Sequence, residues 1–110
     1  MKLAGENGMR ILMIEDEDQW AACAHEAIST ETGWTLVRAG SGAEGIALAG
    51  ASAFEALVID RVIETDGSDG LQVLARLRAM GVTAPALVLS SLGQAHQRVE
   101  GLEAGADDYV

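Results

Sequence analysis

The sequence lacks several features that would place it in common classes of protein. Its single cysteine excludes an intrachain disulfide and a Cys-x-x-Cys metal or redox site. No apolar run approaches the roughly 18 residues that a transmembrane helix requires, and the first residues lack the apolar stretch of a secretory signal peptide. We therefore expect a cytoplasmic protein without membrane contact, in which residues 1–8 form a flexible tail.

Basic residues are scarce as well. Seven lysines and arginines stand against 17 aspartates and glutamates, which gives a formal net charge of −10. A chain without a basic face is repelled by DNA, so we expect no direct nucleic-acid binding. With 110 residues, 49% of them hydrophobic, the chain has about the size of one domain and can bury a core without a structural staple.

Four short apolar segments alternate with stretches of helical period, and residues 107–110 are interpreted as the first residues of a fifth strand. Nearly continuous apolar runs are typical of strands that are buried on both faces of a parallel sheet. The alternation therefore predicts an α/β domain with a parallel sheet and helices on both of its faces. A polar loop is expected over residues 61–68. The predicted strands are residues 10–14, 34–38, 54–59, 86–89 and 107–110.

The helical stretches carry apolar residues three or four positions apart, which predicts one buried face for each helix. In the first helix these residues are Trp20, Ala24 and Ile28, and Cys23 is interpreted as a small core residue. Ser41 and Asp69 are predicted N-caps. The buried residues predicted for the third helix are Leu71, Leu74, Leu77 and Met80, and those predicted for the fourth are Ala95, Val99 and Leu102.

Polar side chains follow three of the predicted strands directly. Glu15 and Asp16 follow the first strand, Asp60 the third and Ser90 the fourth. Ligands of parallel α/β sheets bind at these carboxyl ends. If the first and third strands are neighbours, their acids repel by about 4 kcal/mol per pair at 4 Å, and only Arg61 is close enough in sequence to offset this. A divalent cation such as Mg²⁺ would suit this oxygen-rich corner.

The same residues favour phosphoryl transfer over nucleotide binding. Four consecutive acids follow the first strand and no Gly-x-Gly-x-x-Gly motif occurs, so an ordinary phosphate-binding loop is disfavoured. Asp60 is predicted to be the nucleophile that accepts the phosphoryl group, and the Ser90 hydroxyl is predicted to donate to a phosphoryl oxygen.

Five segments in this order resemble the receiver domain of bacterial two-component response regulators. The resemblance covers residues 9–110, and its last segment is similar to the subgroup fused to a winged-helix DNA-binding domain. It implies a flavodoxin-like, doubly wound, five-stranded sheet of order 2-1-3-4-5, with the last strand cut short and the final helix missing. The five segments are residues 11–17, 57–60, 69–71, 87–90 and 101–109.

The resemblance also implies a role for each site residue. Asp60 would accept a phosphoryl group from a sensor histidine kinase, as a signalling switch rather than an enzyme that turns over a substrate. Asp16 and Asp60 would bind Mg²⁺ directly, Glu15 would assist through water, and the backbone carbonyl of Val62 would complete the protein ligands. The output would be control of transcription.

The implied switch consists of a hydroxyl and an aromatic ring. Ser90 would turn toward the phosphoryl group, and the ring of Tyr109 would move inward behind it.

Two departures from the family pattern stand out. The loop after Asp60 is longer by two residues, because Asp69 lies nine positions on and Glu64 or Thr65 replaces the usual proline. The usual lysine would lie two positions beyond Val110. These departures leave open a degenerate receiver that acts as an interaction module without phosphorylation. They also leave open a homodimer or domain-swapped dimer that borrows the missing element.

A phosphohydrolase of the haloacid-dehalogenase type is a further alternative. Asp16 and Asp18 have its Asp-x-Asp spacing, Ser90 would supply its hydroxyl, and residues 107–108 its late acid pair. The tryptophan at position 20 and the short chain count against it.

Overall fold

The computed structural model describes residues 9–90 and 95–109; the predicted tail, residues 1–8, lies outside them. The described chain alternates strands with four helices, and one short hairpin interrupts the alternation. The elements in chain order are β1 (Arg10–Ile14), α1 (Asp18–Thr32), β2 (Thr35–Ala39), α2 (Gly42–Ala51), β3 (Ala56–Asp60), β4 (Val62–Ile63), β5 (Ser68–Asp69), α3 (Gly70–Ala79), β6 (Ala86–Leu89), α4 (Ala95–Glu103) and β7 (Asp108–Tyr109).

The main sheet has the predicted flavodoxin-like topology. Its five described strands pair in the order β2-β1-β3-β6-β7, and every pair is parallel. The predicted bounds of β1 and β6 are confirmed, whereas β2 and β3 begin one and two residues later than predicted. The prediction of a polar loop over residues 61–68 is wrong in part, because β4 and β5 pair there as an antiparallel hairpin.

Successive residues of β1 pack into two separate cores, because the side chains of a strand alternate between the faces of the sheet. Leu12 and Ile14 belong to the larger core, together with the confirmed apolar face of α3. Ile11 and Met13 belong to the smaller core, against which Ile28 of α1 packs. Helices therefore cover both faces of the sheet, and its carboxyl edge is left for the site.

The helix ends follow the predicted signals. The Ser41 hydroxyl accepts a hydrogen bond from the amide of Glu44 at 3.1 Å, and the Asp69 carboxylate accepts one from the amide of Leu71 at 2.9 Å. Gly33 ends α1 in the left-handed region, with φ of 74°. A Ser or Asp N-cap satisfies an amide that has no partner within the helix.

Several predicted core positions are exposed. Trp20 is 63% exposed, Val99 and Leu102 are each 53% exposed, and Met80 is 45% exposed; Cys23 is also exposed. These predictions are wrong because helical spacing shows which residues share a face but does not show what packs on it. Ala21 of α1, one position beyond Trp20, is buried.

None of the helices in the described parts of the chain combines the length and the apolar composition needed to cross a bilayer.

Candidate metal centre

The strand register brings the predicted site residues to one corner of the sheet. Ile14, the last residue of β1, pairs with Ile59 of β3, so Glu15 and Asp16 leave the sheet beside Asp60. Asp60 itself pairs with Leu89 of β6. The parallel register therefore fixes the corner, because residues that follow paired positions emerge at the same edge.

Glu15, Asp16 and Asp60 form a cluster of three carboxylates. Each offers one oxygen, and these oxygens lie within 4.8 Å of one another. Glu15 is buried, whereas Asp16 and Asp60 are half-buried. Two ligands on opposite sides of Mg²⁺ lie about 4.2 Å apart at its usual bond length, so small side-chain movements would bring the three into range. The all-oxygen donor set and its spacing fit a hard divalent cation.

Glu15 is the carboxylate of the cluster whose protonated form is favoured. Burial, together with the charge and hydrogen bonding of Asp60, raises the pKa of Glu15 from 4.5 to about 7, although the hydrogen bond from the amide of Glu17 opposes the rise. Burial destabilises the ionised form, and a neighbouring carboxylate adds to that effect. A cation at this place would relieve the repulsion and displace the proton.

Asp16 is held in its ionised form. Its Oδ2 accepts hydrogen bonds from the amide of Glu64 at 2.8 Å, and from the amide and the hydroxyl of Thr65 at 3.1 and 3.3 Å. Although partial burial acts against them, these donors lower the pKa of Asp16. Sequence reasoning missed these contacts, and the longer loop after Asp60 was the only signal of them.

The expectation that Arg61 offsets the acid cluster is not supported. Its guanidinium forms ion pairs with Asp69 at 3.2 Å and with Glu100 at 3.6 Å. Both of these acids lie outside the cluster of Glu15, Asp16 and Asp60, so they compete with the cluster for the charge of Arg61.

Two of the other predicted site residues, Ser90 and Val62, lie at the same corner. Ser90 and Val62 line an open cavity of about 1050 Å³ together with Asp60. The amide of Val62 donates a hydrogen bond to Oδ1 of Asp60 at 3.2 Å, while the metal-binding role of the Val62 carbonyl stays a prediction. Tyr109 belongs to β7, but its side chain lies outside the described residues.

Of the residues of the phosphohydrolase alternative, Asp16 and Ser90 line the same cavity, but Asp18 and Asp107 have other partners. Asp18 is exposed and pairs with Arg38 at 2.6 Å. Asp107 accepts a hydrogen bond from the amide of Ala86, the first residue of β6. It therefore lies at the amino edge of the sheet, opposite Asp60. A late acid pair of that enzyme class would have to lie at the carboxyl edge.

Gly70 makes the closest backbone approach to the site. A Cβ at this position would overlap the carbonyl oxygen of Asp60, and the Gly70 amide donates a hydrogen bond to the Arg61 carbonyl at 2.7 Å. The contact is with backbone rather than a flexible side chain, so a larger residue must displace either α3 or Asp60.

We predict that Gly70→Ala lowers the free energy of unfolding by about 2 kcal/mol, as overpacking against a fixed neighbour typically does. Gly50→Ala is the matched control, because its added methyl would lie 3.4 Å from Cε of Met80, in ordinary contact. Gly50 lies in the last turn of α2, so that change should stabilise the protein by no more than about 0.5 kcal/mol. Urea denaturation followed by circular dichroism measures both, and equal effects of the two variants would contradict the close approach.

Comparison with known proteins places this geometry in a family. Residues 11–110 match the family described as "Response regulator receiver domain". The chain is 38% identical to the transcriptional regulatory protein TcrA of Mycobacterium tuberculosis, over 94% of this chain and 40% of TcrA. It is 33% identical to the probable transcriptional regulatory protein SilR of Salmonella typhimurium, over 93% of this chain and 43% of SilR. The chain therefore spans less than half the length of these relatives.

Solved structures agree with this assignment. The receiver domain of the Francisella response regulator 1452 is 28% identical, with a TM-score of 0.81, and the match covers 94% of this chain and 83% of that one. A Burkholderia pseudomallei response regulator, crystallised with a phosphorylated aspartic acid, a calcium ion and citrate, is 27% identical. It has a TM-score of 0.82, and the match covers 91% of this chain and 57% of that one. The chain belongs to the response regulator receiver domain family.

Proposed function

We propose that this chain is a signalling switch that accepts a phosphoryl group on Asp60 from a histidine kinase in a Mg²⁺-dependent reaction. The observation that carries the proposal is the convergence of Glu15, Asp16 and Asp60, whose oxygens lie within 4.8 Å of one another at the carboxyl edge of the sheet. The phosphorylated aspartic acid of the Burkholderia relative supports the same chemistry.

The transfer requires little from the protein beyond positioning and charge. A carboxylate oxygen of Asp60 attacks the phosphorus of a phosphohistidine, the P–N bond breaks, and the imidazole nitrogen keeps the electron pair. The product is an acyl phosphate on Asp60. The Val62 amide, which donates to Oδ1 of Asp60, limits the rotation of the nucleophile. Bound Mg²⁺ would neutralise charge on the transferring group.

The remaining roles follow from the same proposal. Ser90 lines the cavity beside Asp60 and would donate its hydroxyl hydrogen to a phosphoryl oxygen, with Tyr109 as its switch partner. The Val62 carbonyl would join Asp16 and Asp60 around the cation, and Glu15 would act through water. The chain would work in the cytoplasm. It would regulate transcription, which is the role that the names of its relatives give to them. Its chemistry would be confined to its own phosphorylation and dephosphorylation, and pairing of two copies stays a prediction.

Phosphorylation by a small donor tests the proposal directly. We expect incubation with phosphoramidate and Mg²⁺ to add one phosphoryl group to the intact mass, and we expect a chelator to prevent the addition, because the uncompensated acids repel the donor. Fragmentation should place the group on Asp60. Modification that is equally fast in the presence of the chelator would contradict the metal requirement.

A titration with beryllofluoride separates this function from the degenerate alternative. A phosphorylatable receiver binds this phosphoryl mimic at Asp60 only when Mg²⁺ is present, and the amide resonances of Val62 and Ser90 should shift. If neither phosphoramidate nor beryllofluoride has any effect, the proposed function is wrong and the degenerate receiver is the favoured alternative.

A further inference from the structure

The hairpin formed by β4 and β5 (residues 62–69, here called the site hairpin) lies against the metal centre. Its strands pair Val62 with Asp69 and Ile63 with Ser68. Ile63 is only 1% exposed and belongs to the larger core, so the base of the hairpin is fixed by packing. Residues 64–67 form its tip, and all four are exposed.

The tip contacts one carboxylate of the centre through three donors. The amides of Glu64 and Thr65 and the Thr65 hydroxyl all donate to Oδ2 of Asp16, at 2.8, 3.1 and 3.3 Å. These groups lie 48 and 49 positions from Asp16 in the chain, so the contact is tertiary. Three donors on one oxygen restrict the rotation of the carboxylate about its Cβ–Cγ bond.

A second contact braces the tip from the other side. Oδ2 of Asp66 accepts a hydrogen bond from the amide of Ala43, in the first turn of α2, at 3.2 Å. Oδ1 of Asp66 accepts one from the amide of Ser68 at 3.1 Å. Ser68 lies so close to Gly42 that a Cβ there would meet its hydroxyl oxygen at 2.6 Å. The tip therefore cannot move away from Asp16 without breaking its contacts with α2.

We propose that the site hairpin positions Asp16 for the cation and that Thr65 is the positioning residue whose side chain contributes to this. The inference rests on the proposed function, because it assumes that the acid cluster binds Mg²⁺. Hydrogen-bond partners that orient a metal ligand hold its side chain in place before the ion binds. Their loss commonly lowers the affinity for the metal by about 10–100-fold.

Calorimetric titration of the metal-free protein with Mg²⁺ tests the role of Thr65. We expect Thr65→Val, which keeps the shape and removes the hydroxyl, to weaken Mg²⁺ binding by about tenfold, the lower end of the usual range because the two amides remain. Thr65→Ser keeps the hydroxyl and should restore an affinity close to that of the wild type. Thr83→Val is the matched control, since Thr83 is exposed and lines a separate small cavity beside Gly81.

The outcomes distinguish the two proposals. If wild-type protein binds Mg²⁺ and Thr65→Val binds it equally well, the positioning role is wrong while the proposed function stands. If Thr65→Ser is as weak as Thr65→Val, the hydroxyl is not the cause and the inference also fails. Absence of Mg²⁺ binding by the wild type would overturn the proposed function itself.

Hydrogen exchange on the wild type provides a second readout that needs no variant. Coupling between two sites is reciprocal, so a hairpin that strengthens cation binding must itself be held more firmly by the cation. We expect saturating Mg²⁺ to slow exchange of the Glu64 and Thr65 amides by about tenfold relative to the metal-free protein. The Val82 amide, bonded to the Leu77 carbonyl at the end of α3, is the internal reference. Equal slowing at all three amides would reflect global stabilisation and would overturn the specific coupling.

Discussion

Asp60→Asn is expected to reduce phosphorylation by phosphoramidate at least about a hundredfold, because an amide oxygen is a far weaker nucleophile than a carboxylate. The fold should be retained, since Asp60 is half-buried and its Oδ1 accepts a hydrogen bond from the Val62 amide, which the amide oxygen of asparagine can also accept. The loss would therefore be chemical rather than structural.

Glu103→Gln is the matched control for this substitution. It makes the same carboxylate-to-amide change at an exposed position at the end of α4, and it should leave both the rate and the extent of labelling unchanged. Intact-mass measurements over time compare the three proteins. Labelling of Asp60→Asn at the wild-type rate would show that another side chain is the phosphoacceptor and would remove the basis of the signalling assignment.

The second large effect concerns Glu15 and pH. The pKa of Glu15 is raised from 4.5 to about 7, chiefly by burial, so between these values the folded state binds a proton that the unfolded state has released. In the metal-free protein, the contribution of Glu15 to the free energy of unfolding should therefore be largest below about pH 4.5. This contribution should be lost as the pH rises to about 7. At about 1.4 kcal/mol per pKa unit the loss is at most about 3 kcal/mol, because solvent and the coupling to Asp60 reduce it.

Glu15→Gln should abolish this dependence. Glutamine resembles the protonated carboxyl, so at about pH 8 the metal-free variant should be more stable than the wild type by up to about 3 kcal/mol, and the two should converge near pH 5. Added Mg²⁺ should stabilise the wild type more at high pH than at low pH, because the cation displaces the proton, and should stabilise the variant less. Chemical denaturation at several pH values measures these differences. If the variant is less stable than the wild type at about pH 8, ionisation of Glu15 does not destabilise the folded state and the prediction is wrong.

Much of the fold could be predicted because the apolar segments of the sequence are also the segments that the fold buries. Residues 10–14 are apolar with one exception, a pattern that suits the centre of a parallel sheet, and acids end the run abruptly. Both ends of β6 agree with the prediction because its apolar run is equally well bounded. The burial of α1 and α4 was less predictable. Trp20 and Leu102 have helical spacing, but whether their face is covered depends on segments distant in sequence.

The site was predictable in part for a related reason. Glu15, Asp16 and Asp60 are brought together by strand order alone, so their position after apolar runs was sufficient. The site hairpin was not predictable, because strands of two residues have no readable period. The same limit applies to the Arg61–Glu100 ion pair, whose partners meet only after α4 has packed.

In the site hairpin, the residue that contributes to the stability of the fold is separate from the residues that contact Asp16. Ile63 ties the base to the core, whereas residues 64–67 are exposed. Sequence drift at these four positions can therefore retune how firmly a receiver retains its ion while the acids that do the chemistry, and the packing that keeps the domain folded, stay the same.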